Sequence, residues 1–294
     1  MLALEAGDVT PERWVPNDIA SYQTLHWDIE TTYKELTELY ELFRGPDAWQ
    51  QEIVDRVSQR LGIDLQTDVV DALDGRGTML TWIERPARIN SQARLVGLKL
   101  KDSEESKKTL QQAMSRFSNR FETKTYGGVT YYFANVNRRR PQNENPAAQL
   151  ARRPTPCIAI LGNYLVATDS EKLLQHAIVT KSDASLSLAN ELDFKLITNK
   201  IKRQLGDTKA GMIGFNRPEE GFRLLYELAT SKTTQTRLAD QAENNGFFRA
   251  LDGALHNNPL PPFAVLAQYL APGGSLLTND ETGIHYMAFG LKRE

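Results

Sequence analysis

The side chains best suited to acid–base, metal or nucleophilic chemistry in this 294-residue chain are four histidines, His26, His176, His256 and His285, and one cysteine, Cys157. The histidines lie far apart in sequence, and no two share the spacing that places paired ligands on one helix face. A catalytic histidine also needs a positioned partner, which only folding from a distance could supply. Cys157 sits in the apolar run Cys157-Ile158-Ala159-Ile160-Leu161. No basic neighbour in sequence lowers its pKa, so it reads as a small core residue, and a single thiol excludes an intramolecular disulfide or a cysteine-based zinc site.

The acids are equally reticent. Asp68 and Asp71 lie one helical turn apart, and Asp280-Glu281 occupies a hairpin tip, where carboxylates commonly face water. A hydrolase assembled from His26, His285, Asp68 and Asp280 is the enzymatic reading available. Phosphate-loop, dinucleotide-binding, zinc-protease, nucleophile-elbow and calcium-loop spacings are all missing. Asp74-Gly75-Arg76-Gly77 and Gly273-Gly274-Ser275 are the nearest approaches, and both read better as turns into strands. No cofactor or metal is implied. Trp14, Trp27, Trp49 and Trp82 fall on apolar faces, where core packing accounts for them.

Three aspartates and one asparagine have a different explanation. Asp28, Asp102, Asp169 and Asn216 each stand where a short apolar strand gives way to a helical pattern. A short side-chain oxygen there accepts from the unpartnered first N–H groups of the helix. Asp102 with Glu105 and Asn216 with Glu219 also show the spacing of a capping box. These residues are expected to start helices, not to hold metals.

One stretch is compositionally unusual. From Asn137 to Thr155 the chain carries Arg138, Arg139, Arg140, Arg152 and Arg153 against a single acid, Glu144, with almost no apolar anchor. We expect a solvated connector there. The sharper alternative is an anion-contact loop formed by those five arginines, whose binding would fall steeply with salt.

Composition sets the wider limits. The chain is 40% hydrophobic and 24% charged, with a formal net charge of −2, so it reads as globular and no global field recruits nucleic acid. No window reaches the roughly 20 apolar residues of a membrane-spanning helix, and the first residues lack the basic and apolar segments of a signal peptide.

The elements follow from periodicity and punctuation. Ile29, Tyr33, Leu36, Tyr40 and Phe43 form an apolar stripe at helical spacing, closed by Gly45-Pro46. A helix over 48–61 follows, then a short one near 67–73 and a strand over 78–83. A strand over 94–101 leads into a helix that buries Leu110, Ala113, Met114 and Phe117. Two hairpins turn at Gly127-Gly128 and Gly162-Asn163. The later helices are expected to bury Leu173, Leu174, Ala177 and Ile178, then Phe222, Leu225, Tyr226 and Ala229, before two closing strands over 275–279 and 284–291. Irregular alternation of this kind predicts an α+β fold with mainly antiparallel sheet. The basic stretch divides the chain into an N-terminal half, 1–136, a loop, 137–155, and a C-terminal half, 156–294. The halves either stand apart or pack as one domain, and their similar order of motifs suggests an internal duplication.

This succession resembles a bacterial family known as domain of unknown function 3352. The resemblance rests on Trp14 to Tyr22, Gly62 to Val70, Leu98 to Asp102, Tyr126 to Tyr131, Cys157 to Ser170 and Ser187 to Phe194, which come in the expected order over most of the chain. It brings no activity, cofactor or catalytic residue to carry over. It does imply an exported or envelope-associated setting, since such proteins often begin with a signal or anchor segment that this chain lacks. The expected function is therefore a non-catalytic extracytoplasmic or envelope module, whose partner is another protein or an envelope component. A hydrolase is the alternative.

Overall fold

Register decides which residues this protein buries. The computed structural model describes residues 4–88, 90–135, 151–206, 210–231, 235–236, 240, 245–257 and 260–292. Its strands are β1 (Ser21–His26), β2 (Leu73–Ile83), β3 (Gln92–Leu100), β4 (Phe121–Tyr126), β5 (Val129–Ala134), β6 (Cys157–Leu161), β7 (Tyr164–Thr168), β8 (Met212–Asn216), β9 (Gly273–Asp280) and β10 (Gly283–Gly290). They form one sheet in the order β10-β9-β8-β1-β2-β3-β7-β6-β5-β4, antiparallel at every pairing.

Because side chains alternate along a strand, paired positions form rows across the sheet. One row runs Tyr131, Ala159, Val166, Gly97, Thr78, Thr24, Ile213 and Leu276, and every member is buried. The adjacent row points the other way and includes Tyr132, Ile158, Val96, Met79 and Gln23. There Met79 and Val96 remain exposed. The core therefore lies on one face of the sheet, where Trp14, Val15 and Ile19 join Leu173, Leu174, Ala177, Phe194 and Ile197 of the covering helices.

Those helices are α4 (Glu171–Ser182) and α5 (Leu192–Leu205); the others are α1 (Ile29–Arg44), α2 (Asp55–Leu61), α3 (Ser103–Ser115), α6 (Pro218–Thr230), α7 (Gly246–Asn257) and α8 (Phe263–Ala267). A wide helical turn at Gln50–Val54 runs straight into α2, and another spans Gln66–Val70 just before β2. The α+β class, the largely antiparallel sheet and both glycine hairpins are as the sequence predicts. Gly127 and Gly128 have φ of 53° and 76°, a conformation that side-chain-bearing residues rarely adopt. The two sequence halves do not build separate sheets: β1, β2 and β3 lie between β8 and β7.

Two expected caps hold and two shift. Asp28 accepts from the Thr31 amide, and Asp102 from those of Glu104 and Glu105. Asp169 is not a cap. Ser170, one residue later and fully buried, accepts from the Leu173 amide, while Asp169 accepts from the Arg94 amide of β3. At the fourth junction Asn216 is the last residue of β8 and Arg217 stands at the cap position without a side-chain cap bond. Pro218 opens α6 with its φ already suited to a helix.

The expected inner face of α6 holds only in part: Tyr226 and Ala229 are half-buried, with Tyr226 edge-on against Phe263. Phe222 and Leu225 face solvent, and Leu224 is the buried residue. Arg85 pairs with Glu220 and Glu227, which lie near Leu224 on the helix surface, at the flank of this orientation.

Candidate functional site

Four clusters of polar side chains decide where chemistry is feasible. The first is buried: the Glu12 and Arg76 side chains are only 4% and 6% exposed, and Arg76 Nε lies 3.1 Å from Glu12 Oε1. Tyr22 Oη donates to Glu12 Oε2 at 3.2 Å, Thr78 donates to the other carboxylate oxygen, and Arg76 also reaches Thr24 Oγ1 and the Thr10 carbonyl. Burial, reinforced by the adjacent carboxylate of Glu12, holds the Tyr22 phenol well above its usual range and raises that of Tyr164 in the same way. Each carboxylate oxygen has a donor, and the Glu12 and Arg76 side chains are both almost wholly shut off from solvent. This network locks residues 8–12 onto β1 and β2.

Two further networks are structural for the same reason. Arg152 is 5% exposed and spends its donors on the carbonyls of Asn90, Gln92 and Asp169 and on the Asp169 carboxylate. Arg217 bonds the Asn17 and Ile19 carbonyls and pairs with Glu191. In the expected anion-contact loop, then, Arg152 is engaged inside the fold, Arg153 is exposed, and Arg138, Arg139 and Arg140 lie outside the described residues.

The fourth cluster is the one with catalytic residue types. At the β9–β10 turn, His285 Nε2 lies 2.7 Å from Thr282 Oγ1 and 3.2 Å from Asp280 Oδ1. Hydroxyl and carboxylate meet the same ring nitrogen, so the imidazole cannot pass a proton between them as a relay with partners on opposite nitrogens does. Asp280 is also held below its ordinary pKa, first by the Thr282 hydroxyl and then by the Thr282 amide. The other two residues of the predicted hydrolase site are engaged elsewhere: His26 Nε2 contacts the Asp8 carbonyl, and Asp68 accepts from the Asp64 amide. His176 stacks edge-on against Trp82 and lies 3.6 Å from Asp18, and the side chain of His256 is outside the described set.

Cys157 is buried, and burial pushes its thiol up to about 12, with Glu171 adding to the rise. It is a core residue, as its sequence setting predicts. Among the described residues, no group of three or more His, Cys, Asp or Glu side chains is placed to hold a metal ion.

What the polar groups leave open, the apolar surface supplies. On α1 the predicted stripe splits. Tyr33 and Tyr40 pack edge-on against Trp49, whose indole donates to the Tyr33 hydroxyl at 3.0 Å, while Tyr40 donates to Glu52. Leu36, Leu39, Leu42 and Phe43 turn away into solvent, and the last two are each 78% exposed. The apolar arc of α1 is wider than the surface that receives it. At helical spacing these four form one continuous patch. A second opening lies between α3 and strands β4, β5 and β6, a cavity of about 680 Å³. It leaves Leu110 and Met114, expected to be buried, only half covered.

A single antiparallel sheet with helices on it and an open apolar helix face define an α+β protein. The family described as Protein of unknown function (DUF3352) matches residues 35–208, more than half of the chain, and the protein belongs to that family. No curated protein and no solved structure matches it. Among the described residues, no helix is long and apolar enough to cross a membrane.

Proposed function

We propose that this protein is a non-catalytic binding or structural module that works outside the cytoplasm, at the cell envelope, through contact with another protein or an envelope component. The open arc of Leu36, Leu39, Leu42 and Phe43 carries the reading. Surface hydrophobes are ordinary when scattered, but a run on one helix face marks a place where a partner excludes water. Glu35 and Glu38 lie beside that arc, the latter near Lys34, so a partner with basic residues around an apolar groove fits it better than nucleic acid or an anionic lipid surface. The envelope setting draws its support from the family resemblance.

The hydrolase alternative gains nothing from the Thr282–His285–Asp280 turn, which is exposed and lacks relay geometry. A panel of ester, peptide, phosphoester and glycoside substrates offered to the purified chain tests the choice. The proposal expects no turnover above background. Robust turnover abolished by Asp280→Asn or His285→Gln would overturn it.

A further inference from the structure

We propose that the cavity between α3 and strands β4–β6 is a binding site for a small amphipathic anion, a single aliphatic chain ending in a carboxylate or phosphate. This goes beyond the proposed function, because α1 plays no part in the site. Its volume, about 680 Å³, lies within the ~300–1,000 Å³ of ordinary ligand sites.

The lining sets the ligand class. Leu110 and Met114 from α3 face Phe121, Val129 and Ile160 from the sheet, which makes a body of apolar contact. Hydroxyl and amide groups such as Thr123, Thr130 and Gln111 supply the few polar positions. Among the described residues no carboxylate lines the cavity, and the charged groups that do are both cations, Lys107 and Lys181.

The two lysines are not equivalent. Lys107 is already paired with Glu104 on the helix surface, whereas Lys181, in the last turn of α4 beside the Gly162 turn, has no carboxylate partner among the described residues. Tyr132, at the cavity wall, likewise has a hydroxyl without a partner among the described residues, a further donor on the wall. An apolar chain would desolvate the wall while its anionic end meets Lys181. That accounts for a helix whose inner residues are left half covered.

Calorimetry with the full chain and three probes below their micelle concentrations tests this: decanoate, decyl phosphate and decanol. The expected result is saturable one-to-one binding of at least one anion, with decanol weaker by about tenfold, the size of one charge-assisted hydrogen bond. A preference between the two anions tells a fatty carboxylate from a phosphate headgroup. Lys181→Gln should bring the anion down to the affinity of decanol and leave decanol unchanged. Thr130→Trp from the sheet and Ser115→Trp from the helix should each abolish all binding, with unchanged thermal melting showing that the variants fold. Absence of saturable anion binding, equal affinity for decanol, or binding that survives both tryptophans would overturn the proposal.

Discussion

Replacing Arg76 with methionine tests the account of the inner polar network. Glu12 would keep its donors, Thr78 and the Tyr22 hydroxyl, but lose the cation that lies 3.1 Å from its buried carboxylate. Breaking a buried ion pair on one side costs about 3–5 kcal/mol, because the remaining charge stays desolvated. At roughly 2.1 cal/mol/K of unfolding entropy per residue, a chain of this length loses about 5–8 °C of melting temperature. Urea unfolding at neutral pH, followed by circular dichroism, should show the midpoint fall with little change in slope. The double variant Glu12→Gln, Arg76→Met is the decisive control. A neutral amide accepts from one of the two hydroxyls through its oxygen and donates to the other through its NH2, so the pair of substitutions should cost well under the sum of the two single ones. A cost below about 1 kcal/mol for Arg76→Met, or strict additivity in the double variant, would show that the network does not hold residues 8–12 to the sheet.

Two further outcomes follow from burial. Cys157 should resist a thiol reagent in the native protein and react at once in urea; its folded pKa is raised from 9.0 to about 12, so the stability it contributes is whole below pH 9 and is lost as pH rises through that interval, a loss that Cys157→Ala should remove. Arg152→Ala should lower stability by about 3 kcal/mol, since it abandons three carbonyls and leaves the Asp169 and Glu84 carboxylates without their shared cation. An unchanged urea midpoint would return Arg152 to the pool of residues available to a ligand.

Local chemistry made part of this structure legible in sequence. The hairpins at Gly127-Gly128 and Gly162-Asn163 are written in residues that tolerate positive φ, and Asp28 and Asp102 cap helices through contacts two or three residues away. The misreadings arise where a distant partner decides. Asp169 and Ser170 are adjacent and both are good caps, and the choice between them falls to the β3 backbone and Arg152, which claim the aspartate first. On α6 the apolar residues Phe222 and Leu225 predict the inner face, yet the helix buries Leu224 and leaves those two in solvent, with Glu220 and Glu227 paired to Arg85 of a distant segment. Glu12 and Arg76 meet only because β1 and β2 bring Thr24 and Thr78 to the same inner row, which no window along the chain contains. For the same reason the stripe on α1 announces an amphipathic helix but not that half of it stays uncovered. The cavity beneath α3 has no sequence signal either, since its wall is drawn from two helices and three strands.

Photo-crosslinking from α1 tests the central claim most directly. A photoreactive residue at position 42, and separately a control at position 104 on the surface of α3, would be introduced into the full chain in the cells that make it. The account predicts one defined crosslinked protein or envelope component from position 42, located outside the cytoplasm, lost when Leu36, Leu39 and Phe43 are replaced by serine, and not captured from position 104. The same products from both positions, or none from position 42, would contradict it.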